Sequence, residues 1–258
     1  MIASKPQAES TLLDSVNNAL RILKCFTKEQ PIRRVTELSR ILGLNKSTVS
    51  RMLATLAAEG FVTKDAGSRS FRLGPSALSI GCAFKYSNEI YKEAIPVLKK
   101  LADILGETVQ LATLDGMEVF FVETIECRHP LRFMSSAGSR SPIHCSSLGK
   151  VLLAFRNDNF INEVVGAGLP PSTQRTITSE REFREEISRV RKQGFALSLE
   201  ERFEGVISVA APICDPGGQA IAAVNVVGPS NRMKQENLNR CIRHLVQGAG
   251  EISSSLYY

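Results

Sequence analysis

The sequence predicts a mixed α+β protein with two domains, the first mainly helical and the second built from strands and helices. The first observation is a tight turn at Gly43 between two short helical segments, 35–44 and 46–59. The second is a change at Thr108, after which apolar residues alternate as they do in strands. Helical segments recur among these strands, which indicates a sheet with helices packed on it. A chain of 258 residues is long enough for two such domains.

Three helices are expected before Gly60. Residues 1–13 are polar and predict a disordered tail, after which an apolar stripe predicts a first helix that ends near Phe26. A polar residue is favoured at the start of each helix, because the first N–H groups have no partner within the helix. The caps expected for the three helices are, in chain order, Asp14 or Ser15, Thr36, and Asn45.

A small hairpin, or wing, is expected after the third helix. Segments 61–64 and 70–73 alternate apolar and polar residues, and 65–69 between them has the composition of a turn. The first domain is therefore expected to span 14–74. Residues 75–88 mix apolar and small side chains, and we expect them to form a helix that links the two domains.

The second domain is expected to span 89–258. It begins with a strongly amphipathic helix over 89–105, and Asp115-Gly116 further on predicts a β-hairpin. Ser179 and Glu182 have the spacing of a capping box, which opens another helix. The remaining predicted elements are a strand at 132–134, a helix at 146–155, strands at 195–200, 207–213 and 220–227, and a helix from 234 to the end.

Composition and charge narrow the class of protein. Neither a signal peptide nor an apolar run long enough to cross a bilayer is evident, so a cytoplasmic protein without a membrane partner is expected. The six cysteines are widely spaced and form no CxxC, which is typical of reduced thiols. Residues 1–74 carry twelve Lys or Arg and six Asp or Glu, so the formal net charge of +6 lies entirely there. A basic domain joined to a neutral one indicates contact with nucleic acid at one end.

The third helix has the two unlike faces that entry into the DNA major groove requires. Apolar residues lie on one face, and small, hydroxylated or cationic residues lie on the other near the helix start. Arg51 is the candidate for contact with a guanine edge, because its planar guanidinium can donate to O6 and N7 together. Cations elsewhere in the domain are expected to contact the DNA backbone. The predicted DNA-binding residues are Lys46, Ser47, Thr48, Ser50 and Arg51 on the helix, Arg33 and Arg34 before the second helix, and Lys64, Arg69 and Arg72 on the wing.

A second candidate site lies where the helix predicted at 146–155 begins. Ser146, Ser147, Leu148 and Gly149 combine hydroxyls, a glycine and free backbone N–H groups, which suits a carboxylate. Ordinary helix capping requires the same residues, so the residues alone leave both interpretations open. The residues that could line the apolar walls of such a pocket, or belong to the core instead, are Phe133, Met134, Leu148 and Val227.

Three alternative functions have weaker support. A nucleophilic cysteine would need a base, but neighbouring residues in an extended segment point to opposite sides, so His144 and Cys145 are expected not to share a proton. Combined with Cys127 and His129, they also lack any recognised zinc spacing. The sequence therefore predicts no enzyme, no cofactor and no metal. A metabolite sensor without a role on DNA is opposed by the basic excess and the third helix.

Motifs in both domains recur in the order found in one protein family. They are Asn17–Phe26, Leu42–Arg51 and Phe71–Gly74 in the first domain, and Ser147–Phe155, Gly194-Phe195, Glu200-Glu201, Gly205, Ala210–Ile213 and Gly228-Pro229 in the second. Over nearly its whole length the chain resembles the IclR family of bacterial transcriptional regulators. The resemblance implies a winged helix-turn-helix joined by a helix to an effector domain with a GAF-like fold. Family members bind DNA as dimers or paired dimers, and many respond to small organic acids or other metabolites.

The resemblance also implies site residues and a function. It places the segment that begins at Ser146 in an effector pocket, with Ser198, Ser208 and Asn225 as its polar lining. Many relatives carry an acidic residue where this chain has Ser198, so a less polar or more anionic ligand is expected here. The predicted function is a ligand-responsive regulator, more often a repressor than an activator of a catabolic operon. Its expected partners are a near-palindromic DNA operator, a small carboxylate effector and further copies of the chain, as a dimer or a homotetramer.

Overall fold

The structure is a computed structural model that describes residues 13–130 and 136–257. It divides into two compact units, Met1–Ser87 and Asn88–Tyr258. The predicted tail, apart from Leu13, and the strand predicted at 132–134 fall outside the described residues. In the described part of the chain, no helix is both long enough and apolar enough to cross a membrane.

Within residues 13–87, the first unit has four helices and a small antiparallel sheet. The helices are α1 (Asp14–Lys24), α2 (Val35–Leu42), α3 (Lys46–Ala58) and α4 (Pro75–Ser87). The strands are β1 (Ile32–Arg34), β2 (Val62–Lys64) and β3 (Ser70–Leu73), in the sheet order β1-β3-β2. The predicted turn between α2 and α3 is confirmed, since Gly43 has a φ of +69°, a conformation that favours glycine. The predicted wing is also confirmed as the pair β2 and β3.

The predicted caps of the first two helices are wrong. Leu13 occupies the N-cap position of α1, and Arg34 occupies that of α2 in place of Thr36. Arg34 is extended because it pairs with β3, and its N–H donates to Glu37 Oε2 at 3.0 Å. Asn45 does lie at the N-cap of α3, although its side chain makes no capping hydrogen bond.

The second unit is a six-stranded antiparallel sheet with helices on both faces. Its helices are α5 (Glu89–Leu105), α6 (Ser147–Ala154), α7 (Asp158–Gly166), α8 (Glu180–Gln193) and α9 (Gln235–Ser255). Its strands are β4 (Thr108–Asp115), β5 (Glu118–Ile125), β6 (Arg140–Pro142), β7 (Ala196–Leu199), β8 (Val206–Cys214) and β9 (Ala220–Pro229). The order across the sheet is β6-β5-β4-β9-β8-β7, so β6 and β7 are its two edges. The sequence predicted neither β6 nor α7.

Alternation along the strands gives the sheet two apolar faces. Leu111 and Val224 pack with α5 and α9 on one face, where Leu98 and Leu245 are fully buried. On the other face, small side chains let α6 lie close to the strands, and α8 packs against α6. These small residues are Ala112, Ala196, Ala210 and Ala223. Every residue of α6 is buried, including Lys150.

Candidate functional sites

The start of α3 is exposed, as a recognition helix requires. The exposed predicted residues on its first two turns are Lys46, Ser47, Ser50 and Arg51. Thr48 is half-buried, whereas Val49 and Leu53 on the opposite side are fully buried in the core of the unit. No ion pair engages Lys46 or Arg51 among the described residues. Both cations are therefore available to an anionic partner.

The other predicted DNA contacts differ in how free they are. Arg34, Lys64, Arg69 and Arg72 are exposed. Arg33 is half-buried, and its Nε donates to the carbonyl of Cys25 at 3.0 Å. At least one donor of Arg33 thus serves the backbone of its own domain.

The second candidate site is built around the N-terminus of α6. Ser146 is an ordinary cap, because its Oγ accepts from Gly149 N at 3.1 Å and donates to the carbonyl of Pro142 at 3.0 Å. The next two N–H groups, of Ser147 and Leu148, have no acceptor among the described residues. Helix capping and a carboxylate site are therefore compatible here. Ser146 makes the cap, and the N–H groups of Ser147 and Leu148 remain free to donate to a ligand.

Gly149 lets this helix start lie directly on the preceding loop. A Cβ on Gly149 would lie 2.0 Å from the carbonyl oxygen of Ile143, and backbone cannot move aside as a flexible side chain can. Leu148 is 1% exposed and packs in the core under α6. Its side chain therefore contributes to the core, while its N–H lies at the site.

Strand register brings the predicted polar residues to the α6 face of the sheet. Ser198 pairs with Ser208, and Ser208 pairs with Val227, so the three side chains lie in one row across β7, β8 and β9. Asn225 lies in the next row on the same face, beside Ala210 from the core under α6. Phe133 and Met134, the predicted apolar walls, lie outside the described residues.

Hydrogen bonds join this row to the start of α6. Ser147 Oγ lies 2.7 Å from Ser208 Oγ, and Ser198 Oγ donates to the carbonyl of Cys145 at 3.2 Å. Asn225 is 4% exposed, and its Oδ1 has no hydrogen-bond partner among the described residues. A buried amide oxygen without a partner is costly, so it suits a ligand or an ordered water.

A buried ion network lies further along α6, and sequence reasoning missed it. Lys150 Nζ donates to Glu186 Oε1 at 2.9 Å and to Glu201 Oε1 at 2.7 Å. Burial raises the pKa of Glu201, and the nearby charge of Lys150 opposes that rise without cancelling it. The sequence did contain a signal, because Lys150 lies in the middle of the largely apolar segment 147–155. The structure buries every residue of this segment through 154.

The expectation that His144 and Cys145 point apart is wrong. Both residues lie in a turn, so the alternation of an extended strand does not apply to them. Burial lowers the pKa of His144, but interactions with the Cys145 thiol and the Pro170 carbonyl outweigh it and raise the pKa overall. Burial raises the pKa of the Cys145 thiol, but His144, Ser172 and Arg202 outweigh it and lower the pKa overall. In the described part of the chain, no group of three or more potential ligands could hold a metal ion.

Comparison with known proteins assigns the chain to one family. Residues 15–66 match the IclR helix-turn-helix domain, and residues 83–254 match the C-terminal domain of bacterial IclR transcriptional regulators. The chain belongs to the IclR family. It is a ligand-responsive, DNA-binding transcriptional regulator and not an enzyme, as the sequence predicted.

Individual relatives agree with this assignment over most of the chain. The regulator BhcR of Paracoccus denitrificans is 34% identical over 240 residues, which cover 93% of this chain and 86% of BhcR. The transcriptional repressor IclR of Escherichia coli is 27% identical over 244 residues, which cover 93% of this chain and 89% of the repressor. An IclR homolog from Microbacterium hydrocarbonoxydans, solved in complex with 4-hydroxybenzoate, has the same fold. Its TM-score is 0.86 at 22% identity, over 94% of this chain and 98% of that one.

Proposed function

We propose that the protein binds a near-palindromic operator through α3 and that a small carboxylate bound at the start of α6 controls its affinity. In this proposal residues 14–74 bind DNA, 75–88 link the domains, and 89–258 bind the effector and other copies of the chain. The observation that carries it is the pairing of an exposed, cationic α3 with a second site whose buried polar groups lack partners.

The chemistry of the second site favours an anion. The free N–H groups of Ser147 and Leu148 point to where a carboxylate oxygen binds at a helix N-terminus. The polar side chains on the facing sheet, such as Ser208 and Asn225, are uncharged. The two nearby carboxylates, Glu186 and Glu201, are balanced by the two cations Lys150 and Arg189. A bound carboxylate would therefore meet donors rather than competing negative charge.

The relatives support the same ligand class and direction of control. The Microbacterium homolog is complexed with 4-hydroxybenzoate, which carries a carboxylate. The E. coli relative is a transcriptional repressor, so repression is proposed for this chain, with activation of a catabolic operon as the alternative. Comparing transcript levels from the neighbouring operon with and without the gene distinguishes the two directions.

An apolar groove on the first unit supports a dimer. It has a volume of about 730 Å³, and α1, α3, β3 and α4 line it. Val16, Leu20 and Ile80 in its lining are each more than half exposed. Apolar surface of this extent commonly marks an interface. A second copy is the proposed occupant, because one recognition helix contacts few base pairs and two would contact half-sites about 34 Å apart.

The effector acts, in this proposal, by favouring one arrangement of the paired DNA-binding domains. It can change operator affinity only by as much as its own affinity differs between the two arrangements. Couplings of this kind change affinity by about 5- to 150-fold.

Operator binding is tested with promoter fragments from the gene's own locus, by fluorescence anisotropy at several salt concentrations. We expect affinity to fall steeply as salt rises, because cations such as Lys46 and Arg51 displace counterions from phosphates. Arg51→Ala is compared with Arg243→Ala, an exposed arginine on α9 in the other unit. Absence of binding to every fragment at low salt would overturn the DNA-binding proposal.

The effector site is tested by thermal-shift measurements with small carboxylic acids and their matched primary amides. Acids are expected to raise the melting temperature and amides to leave it unchanged, since only the acids carry charge to the helix N-terminus. Ser208→Asp places a carboxylate beside Ser147 and should abolish the acid effect. Equal shifts with acids and amides would refute the carboxylate assignment.

A further inference from the structure

Arg202 is a partly buried cation that pairs with no carboxylate among the described residues. Its Nη1 donates to the hydroxyl of Ser141, and its guanidinium lies 5.0 Å from the ring centroid of Phe203. Burial lowers the pKa of Arg202, because removal from water disfavours the charged form of the guanidinium. Neither a hydroxyl nor an aromatic ring neutralises a guanidinium, so Arg202 retains the capacity to bind an anion.

Two other enclosed cations of this unit do pair with carboxylates. Lys150 contacts two carboxylates, at 2.9 and 2.7 Å. Arg232 donates to both carboxylate oxygens of Glu107, from Nε at 2.5 Å and from Nη2 at 2.8 Å. Lys150 and Arg232 are therefore neutralised within the chain, whereas Arg202 has no carboxylate partner among the described residues.

The guanidinium of Arg202 joins segments from the two edges of the sheet, which the curl of the sheet brings close together. Arg202 follows β7 at one edge, whereas Ser141 belongs to β6 at the opposite edge. Ser141 is 1% exposed and pairs with Val119, whose side chain packs in the core under α6. The bond between Arg202 and Ser141 thus joins the two edges on the face that carries Ser208.

The same face holds the N-terminus of α6. Cys145 connects the two features, because it lies two residues before Ser147 and the positive charge of Arg202 acts on its thiol. Its carbonyl also accepts from Ser198, four residues before Arg202. The buried side chain of Asn225, with its unpartnered Oδ1, lies on this face as an independent sign of a missing ligand.

We propose that Arg202 binds a second acidic group of the effector, so that the site takes a short dicarboxylate. This inference rests on the proposed effector site at α6, which would hold the first carboxylate at the N–H groups of Ser147 and Leu148. Arginine suits the other end because its planar fork donates two parallel hydrogen bonds to one carboxylate. The neutral side chains of the facing strands then lie against the middle of the bound dicarboxylate.

The test compares acids of equal chain length by calorimetry on the full-length protein. Succinate and glutarate are matched with butyrate and pentanoate, which have the same number of carbon atoms but a methyl group in place of the second carboxylate. We expect the dicarboxylates to bind wild-type protein at least tenfold more tightly. Arg202→Gln should weaken dicarboxylate binding about 10- to 100-fold and leave monocarboxylate binding unchanged, because a charge-assisted hydrogen bond contributes about that factor.

Two further variants separate a role in binding from a role in folding. Arg202→Lys keeps the charge but loses the planar fork, so it should recover part of the preference for dicarboxylates. Arg243→Gln removes an exposed arginine of the same unit and should behave as wild type. Monocarboxylate binding by Arg202→Gln, equal to that of wild type in the same experiment, shows that the effector unit of the variant is folded.

The other possible outcomes overturn either the role of Arg202 alone or the carboxylate site at α6 as well. Equal binding of both kinds of acid, or a preference that survives in Arg202→Gln, overturns the role of Arg202. In that case the carboxylate site at α6 stands if Ser208→Asp still abolishes monocarboxylate binding. If no acid of either kind binds, both the role of Arg202 and the carboxylate site are overturned.

Discussion

Replacing Lys150 with methionine tests the buried ion network on which the start of α6 depends. Methionine has an unbranched side chain similar in length to that of lysine, but it lacks the positive charge and the N–H donors. Lys150 is 1% exposed and lies between Glu186 and Glu201. Glu186 keeps a second cation, because Arg189 Nη1 lies 2.9 Å from its Oε2. Glu201 keeps none among the described residues, so Lys150→Met leaves one buried carboxylate without compensation.

The burial of Glu201 sets the size of the expected loss of stability. Removing one partner of a buried ion pair costs about 3–5 kcal/mol, because the remaining charge is left in a poorly solvated place. A domain is stable by only about 5–15 kcal/mol, so the loss is a large share of the total. The matched control is Lys100→Met, since Lys100 lies 3.7 Å from Glu251 with side chains that are 61% and 39% exposed. That exposed pair should contribute less than about 1 kcal/mol.

The loss should also depend on pH in a defined direction. Burial already raises the pKa of Glu201, and removal of Lys150 raises it further. The folded protein then binds a proton more tightly than the unfolded chain, whose Glu pKa is about 4.3. The free energy of unfolding of Lys150→Met therefore falls as pH rises from the pKa of Glu201 in the unfolded chain to its higher pKa in the folded protein. Lys150→Met should be more destabilising at pH 8 than at pH 5.

Urea denaturation followed by far-ultraviolet circular dichroism measures the effect, because the chain contains no tryptophan to report by fluorescence. The double variant Lys150→Met, Glu201→Gln removes the orphaned charge and should recover part of the lost free energy of unfolding. The reasoning is refuted if Lys150→Met costs no more than Lys100→Met, or if its cost is the same at both pH values.

Three further predictions concern other parts of the chain. Gly149→Ala should lower stability by about 1–3 kcal/mol, since its Cβ would lie 2.0 Å from the Ile143 carbonyl oxygen; an unchanged thermal melt contradicts this. Arg51→Ala should reduce discrimination between operator variants by about 1–3 kcal/mol in competition gel shifts, and unaltered discrimination counts against base contact. Burial raises the pKa of Cys241 to about 11, so iodoacetamide at pH 8 should modify the exposed Cys82 and spare Cys241 by mass spectrometry; the reverse order would show that Cys241 is accessible.

Elements with strong local signals were predicted accurately. The helix predicted over 89–105 has those bounds as α5, and Gly106 ends it with a φ of +69°. Ser179 caps α8 as predicted, since its Oγ accepts from Glu182 N at 3.5 Å, but the return bond of a capping box, from Ser179 N to the Glu182 side chain, is absent among the described residues. The hairpin at Asp115-Gly116 joins β4 to β5. In each case the residues that determine the structure are within a few positions of one another.

Elements that depend on distant partners were missed. β1 and β6 are three residues each, too short for an alternating pattern to be recognised. β1 exists because it pairs with β3, and that pairing also places the N-cap of α2 at Arg34 and not at Thr36. α7 did carry a usable signal, because the side chain of Asn157 caps it.

The sequence by itself determined the class of this protein, the basic first domain and the solvent-facing residues of α3, because charge and helical period are local properties. Only the tertiary structure decided which polar groups meet on the α6 face. Lys150 and Glu201 are 51 residues apart, and Arg202 and Ser141 are 61 residues apart. Contacts of this kind depend on strand order and register, since no spacing along the chain encodes which edges a curled sheet brings together.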